Sequence, residues 1–151
     1  MFATCFCARY QANSKESHLV AMKRILRYLK GTPELGIWYP KGSSFDLTAY
    51  TDADHAGCKL DRKSACGSCQ FLGDKLVSWT SKKQNCVSTS TAETEYVVAA
   101  SCYSQDHVEK GDIVMHFVQI DYQLADLFTK PLDEKRFTFL VSKLGMLNAS
   151  T

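Results

Sequence analysis

The sequence predicts an α/β chain folded as one domain, and three observations lead to that reading. Apolar residues recur at helical spacing in "NSKESHLVAMKRILRYLKGT"; short runs bounded by turn residues follow it; and helical spacing returns from about residue 90. At 151 residues, 45% apolar and 23% charged, the chain can build one sizeable core, and two full domains would be crowded. A formal net charge of +2 neither requires nor excludes a polyanion partner. No run has the length of a membrane span, and "MFATCFCARY" lacks a charged start followed by an apolar core. An intracellular, cytoplasmic or nuclear protein is therefore expected, with no signal peptide, transmembrane segment or membrane partner.

The first helix places Leu19, Met22, Ile25, Leu26 and Leu29 on one side, with Asn13, Ser14 or Ser17 as candidate N-caps and Gly31 as the stop. Its other side carries Lys23, Arg24, Arg27 and Lys30, which read either as a solvated face or as contacts to phosphates. "LGIWYP" and "FDLTAYTD" read as short strands separated by "PKGSS", and "SCQFLGDKLVSWTS" as a hairpin turning near Gly73-Asp74. Ser90 followed by Glu93 is a capping box that opens a helix at about residue 90. Glu95 lies beyond that first turn, on a stripe with Ala92, Ala99 and Cys102, and must find a partner or stay at the core's edge. "DIVMHFV" is a further strand candidate. "DYQLADLFTKPL" reads as a short helix capped by Asp121 and ended before Pro131, and "DEKRFTFLVSKLGM" as a last helix burying Phe137, Leu140, Val141 and Leu144, with Gly145 at its exit.

The stretch "FDLTAYTDADHAG" ends in two carboxylates two residues apart. Period-two alternation puts Asp52 and Asp54 on one face with Thr48 and Tyr50, and Phe45, Leu47, Ala49 and Ala53 on the other. Such a like-charged pair is relieved by a metal ion, by a basic ligand or by solvent at an exposed strand end. Asp52 on a strand, with Glu95 and Asp126 on helices, supplies three carboxylates from separate elements, the donor type that hard divalent cations require. Seven scattered cysteines suit reduced thiols; His55, Cys58, Cys66 and Cys69 match the spacing of no common zinc module.

In the order "YTDAD", "DRKS", "SWTSKKQ", "TAETEY" and "QLADLFTKPL", the chain resembles the ribonuclease H domain of copia-type retrotransposon Pol polyproteins. Residues 1–41 are similar to the segment that joins reverse transcriptase to that domain in those polyproteins, and 42–147 to the domain itself. The resemblance implies a ribonuclease H-like fold with a mixed α+β sheet. It also implies cleavage of the RNA strand of RNA–DNA hybrids by two Mg2+ ions, one activating water and one stabilising the leaving oxygen. Carried over by motif, Asp52, Glu95 and Asp126 are the implied catalytic and metal-binding carboxylates. The alternative is a non-catalytic nucleic-acid-binding remnant using Lys23, Arg24, Arg27, Lys30, Lys82 and Lys83 on phosphates.

The chain departs from the family between "VVAASC" and "DHVEKGD". The family has there a strand with a fourth carboxylate, beside the Asp52 strand, and a following helix; here only Tyr103 to Gln105 intervene. Three residues reach about 10 Å, whereas a strand with a parallel crossover needs on the order of a dozen residues. An internal deletion that removes an inner strand and impairs the enzyme is the expected result. "DIVMHFV" could then move in to pair with the Asp52 strand, since an open edge invites aggregation. Asp106 is a remote substitute for the lost carboxylate. His55 replaces the family's usual Trp, and Ala65 and Cys66 replace hydroxyl residues.

Overall fold

The computed structural model describes residues 1–42, 44–58, 61–85, 87–105 and 116–148, with backbone alone for 101–105. Two helices open the chain, α1 (Phe2–Ala8) and α2 (Glu16–Gly31). α2 starts at Lys15, not at Asn13, Ser14 or Ser17, because the Lys15 N–H donates to His18 Nδ1 at 3.0 Å and so closes the first turn. The expected apolar stripe is present but not buried: Leu19, Met22, Leu26 and Leu29 are exposed, and Ile25 is half-buried. Helical spacing sets which side chains share a face; it does not supply a surface to cover them. α2 packs on α1, and its Tyr28 meets Phe137 edge-on at 6.1 Å.

Strand β1 (Leu35–Ile37) lies within "LGIWYP" and pairs antiparallel with β5 (Met146–Asn148), a strand not expected from the sequence. The main sheet contains β2 (Leu47–Asp54), β3 (Ala65–Leu72) and β4 (Lys75–Lys83), in that order. The β3–β4 hairpin turns at Gly73-Asp74 as expected, with Gly73 at φ +60°, a conformation L side chains rarely adopt. All pairing among the described residues is antiparallel, which gives an α+β protein; no parallel strand, which a mixed sheet needs, is among them.

The register sorts the sheet into two faces. Tyr50, Asp52 and Asp54 of β2 stand opposite Cys69, Gly67 and Ala65 of β3, and so share a face with Phe71. That face builds the core. Cys69, Phe71 and Leu76 pack with Leu124, Phe128, Leu140 and Leu144, and with partly buried Tyr50, Leu127 and Leu132. The alternate face, which looked apolar in the sequence, leaves Phe45 and Leu47 exposed. Cys66 and Cys69, three residues apart on a strand, fall on opposite faces, which removes the zinc arrangement.

The late segments differ from expectation in type. "DYQLADLFTKPL" folds as two 3₁₀ turns, Ile120–Tyr122 and Leu124–Phe128, instead of one α-helix. Gln123 caps the second turn, while Asp121 pairs with Arg136 at 3.4 Å. Helix α4 (Glu134–Lys143) is the expected last helix, with Asp133 accepting from the Arg136 N–H and Leu140 fully buried. Its exit at Gly145, φ +76°, turns the chain into β5.

Helix α3 (Thr91–Gln105) begins where the capping box placed it. Ser90 Oγ accepts from the Glu93 N–H at 3.1 Å, and Glu93 reaches back to the Thr89 N–H at 2.6 Å. The helix runs without interruption through 103–105, so these residues form its last turn and not an extended link. In the proposed strand 112–118, residues 112–115 lie outside the described residues, as does Asp106, and 116–118 carry no strand. Among the described residues β2 pairs only with β3. Side chains approach its other edge: the Thr51 carbonyl accepts from Gln123 Nε2 at 3.0 Å, and the Ala53 N–H faces the Glu95 carboxylate closely enough to oppose the rise of its pKa. No described helix is long and apolar enough to cross a membrane.

Candidate functional site: a carboxylate pocket with its own cations

Asp52, Glu95 and Asp126 lie in one region at the edge of β2 away from β3, which carries no strand among the described residues. Asp52 stands on the core-side face of that strand, and α3, packed along β2, brings Glu95 to the Ala53 N–H. The 3₁₀ turn Leu124–Phe128 lies directly on the sheet at Gly67, the partner of Asp52 across the ladder. A Cβ at Gly67 would stand 2.8 Å from the Ala125 oxygen and 2.9 Å from Phe128 Cβ, so only glycine permits this approach. The approach delivers Asp126, 2% exposed, and Thr129, fully buried, beside Asp52. Ser81 Oγ fastens the turn from β4 by donating to the Phe128 carbonyl at 2.7 Å.

Two cations complete the pocket. Lys130 Nζ lies 2.7 Å from Asp126 Oδ1 and 3.5 Å from Asp52 Oδ2, and Arg136 Nη2 lies 2.7 Å from Asp126 Oδ2. Both Asp126 oxygens are thus engaged, and Thr129 Oγ1 donates to Asp52 Oδ2. Arg136 also donates to the Ile120 carbonyl, tying α4 to the turn before Asp126. None of Thr129, Lys130 and Arg136 was a candidate from the sequence. The i,i+4 spacing of Asp126 and Lys130 was the available signal for one of them.

The electrostatics show how closely these groups are drawn together. Burial, reinforced by the charge on Asp52, raises the pKa of Glu95, against the Ala53 N–H and Lys130. Burial likewise raises Asp126, against its bond to Lys130. Burial also raises Asp54, half-buried on the Asp52 face, with Lys130 opposing and Asp52 adding to the effect. Lys130 is itself raised: burial would lower it, but Asp126 and Asp52 outweigh that cost. Four carboxylates therefore act in one region with Lys130 and Arg136.

The donor chemistry is that of a site for a hard divalent cation, but the arrangement is not. The ammonium of Lys130 stands between Asp126 and Asp52, and no group of three His, Cys, Asp or Glu side chains among the described residues is disposed to hold an ion. His55 has a structural partner: its Nδ1 lies 2.9 Å from Thr94 Oγ1, latching the loop after β2 to α3. The basic candidates divide. Lys23, Arg24, Arg27, Lys30 and Lys82 are exposed, whereas Lys83 is committed to Asp61 at 2.5 Å. A cleft of about 410 Å³, lined by Trp38, Tyr50, Phe71 and Leu124 among others, takes in none of the pocket's carboxylates.

Comparison with known proteins finds several transposon proteins among the relatives of the chain. The chain is 50% identical, over 87% of its own length, to the retrovirus-related Pol polyprotein from transposon RE1 of Arabidopsis thaliana. It is 43% identical over 65% of its length to that from transposon RE2 of the same plant, and 42% over 61% to that from transposon TNT 1-94 of Nicotiana tabacum. It spans only 12%, 7% and 7% of these relatives, which are much longer proteins. The first alignment extends over 183 positions, although 87% of 151 residues is about 131, so about fifty positions of the relative have no counterpart here. No family model and no solved structure matches the chain.

Proposed function

We propose that this chain is a ribonuclease H-like fragment of a retrotransposon Pol polyprotein, whose ancestral activity is cleavage of the RNA strand of RNA–DNA hybrids and whose own activity is impaired. The observation that carries this reading is that Asp52, on a strand, and Asp126, on a late turn, share the Lys130 ammonium, with Glu95 of a helix near enough to feel the charge of both. They are the three acidic residues the sequence motifs singled out, and only folding could bring positions 52, 95 and 126 together. The kinship with transposon Pol polyproteins supports the retroelement origin.

Two observations support impairment. About fifty positions of the RE1 relative are missing, as expected if a segment bearing a fourth carboxylate was lost between Tyr103 and Asp106. In addition, Lys130 stands among the remaining carboxylates, so Mg2+ would have to displace a tethered ammonium before it could reach Asp52 and Asp126.

The test is cleavage of a labelled RNA–DNA hybrid in Mg2+ by the full chain and by Asp52→Asn, with folding of both checked by circular dichroism. Weak cleavage that Asp52→Asn abolishes, or no cleavage by a folded chain that still binds the hybrid in a salt-sensitive manner, is the expected result. Cleavage unaffected by Asp52→Asn, or no affinity for the hybrid at low salt, would refute the proposal.

A further inference from the structure

We propose that Lys130 is the resident cation of the carboxylate pocket, and that a divalent cation enters only by displacing the Lys130 ammonium. The inference stands on the ion pairs and holds whether or not the chain ever cleaved a hybrid.

The geometry assigns Lys130 and Arg136 different tasks. Arg136 engages the outer oxygen of Asp126 together with Asp121 and the Ile120 carbonyl, all groups of the 120–126 segment, and so fixes that segment to α4. Lys130 takes the other Asp126 oxygen and faces inward to Asp52 on β2. It is thus the cation that joins two elements of the pocket, the late turn and β2. Its charge also acts on Asp54 and Glu95, so a single ammonium serves four carboxylates.

Position in the chain keeps Lys130 there. Thr129 and Lys130 follow the 3₁₀ turn with their N–H groups donating to the Asp126 carbonyl, at 3.2 and 3.3 Å, and Pro131 ends the turn. The Lys130 side chain is 35% exposed, so the ammonium can leave the pocket without unfolding it. A lysine offers one charge on a flexible stem and no coordination geometry. It neutralises the carboxylates without arranging them as a metal would, which accounts for three candidate ligands that form no ready site.

The experiment follows melting temperature and Mn2+ binding, the latter by the electron paramagnetic resonance of free Mn2+. It compares the full chain, Lys130→Met and Lys130→Arg, in EDTA and in millimolar Mn2+. Methionine keeps an apolar stem and removes the charge; arginine keeps the charge. The wild-type chain and Lys130→Arg are expected to melt at the same temperature in both buffers and to leave Mn2+ free. Lys130→Met should melt lower in EDTA, recover in Mn2+ and bind the ion roughly tenfold or more tightly than wild type. Wild-type binding as tight as that of Lys130→Met, or a folded Lys130→Met indifferent to Mn2+, overturns the proposal. If Lys130→Met does not fold in either buffer, amide spectra of the wild-type chain decide. Selective paramagnetic broadening at residues 51–54 and 124–130 by millimolar Mn2+ would overturn the proposal, and its absence there would support it.

Discussion

Gly67→Ala is the change that should separate the pocket's two halves with a single methyl group. Its Cβ would stand 2.8 Å from the Ala125 oxygen, 2.8 Å from Thr129 Cγ2 and 2.9 Å from Phe128 Cβ. Carbon contacts are most favourable at about 3.5–4.0 Å, so the turn Leu124–Phe128 must lift by several tenths of an ångström or more. Two of the three obstacles are not side-chain ends that can swing aside: one is backbone, and one is a Cβ fixed to it. Overpacking of this kind costs about 1–3 kcal/mol. Replacing a mid-strand glycine returns about 0.5–1 kcal/mol of conformational entropy, which leaves a net destabilisation of roughly 1–2 kcal/mol. For a chain of this size that corresponds to a fall in Tm of roughly 2–8 °C. The assay is thermal denaturation by circular dichroism, with Gly36→Ala as control, since a Cβ there meets nothing within 4 Å. A Gly67→Ala Tm equal to or above wild type, with Gly36→Ala at or slightly above wild type, would mean that the turn does not rest on the sheet at Gly67. The account of how Asp126 reaches Asp52 would then fail.

Leu140→Ala empties the fully buried centre of α4 and should cost about 2–5 kcal/mol; a shift in the midpoint of urea denaturation corresponding to less than 1 kcal/mol would contradict the assigned core. Glu95→Gln probes the raised pKa. A carboxyl raised above its usual 4.5 in the folded chain favours the protonated form, so its contribution is full below pH 4.5 and is lost as pH rises through the raised value. Relative to wild type, Glu95→Gln should therefore be most stabilised at neutral pH, and that advantage should shrink on acidification toward 4.5. Paired melts at three pH values check this, and an advantage that grows toward acid would refute it.

Much of the fold was legible because its signals are local. The hairpin around Gly73-Asp74, the Ser90–Glu93 start of α3 and the Leu140–Leu144 face of α4 each depend on residues a few positions apart. The failures share the opposite property. "DYQLADLFTKPL" has helical spacing, yet its backbone follows Gln123, Arg136 and the bare surface at Gly67, which no local pattern encodes. The α2 stripe has the right period and stays exposed, because burial depends on whether another element arrives.

The candidate site divides along the same line. The sequence by itself determined which carboxylates were worth watching, that Asp52 and Asp54 share a face, and that Glu95 needed a partner. The shared face of Asp52 and Asp54 and the need of Glu95 follow from the period of a strand and a helix, whereas the choice of Asp52, Glu95 and Asp126 as the carboxylates to watch follows from the motif resemblance. Only the tertiary structure decided that Glu95 would find the Ala53 N–H, that Asp126 would be held from both sides, and that Lys130, 78 positions from Asp52, would stand between two of the acids. Charge in a half-buried pocket is compensated by whatever cation the fold brings within a few ångströms. That choice is made by long-range packing, to which sequence spacing is blind.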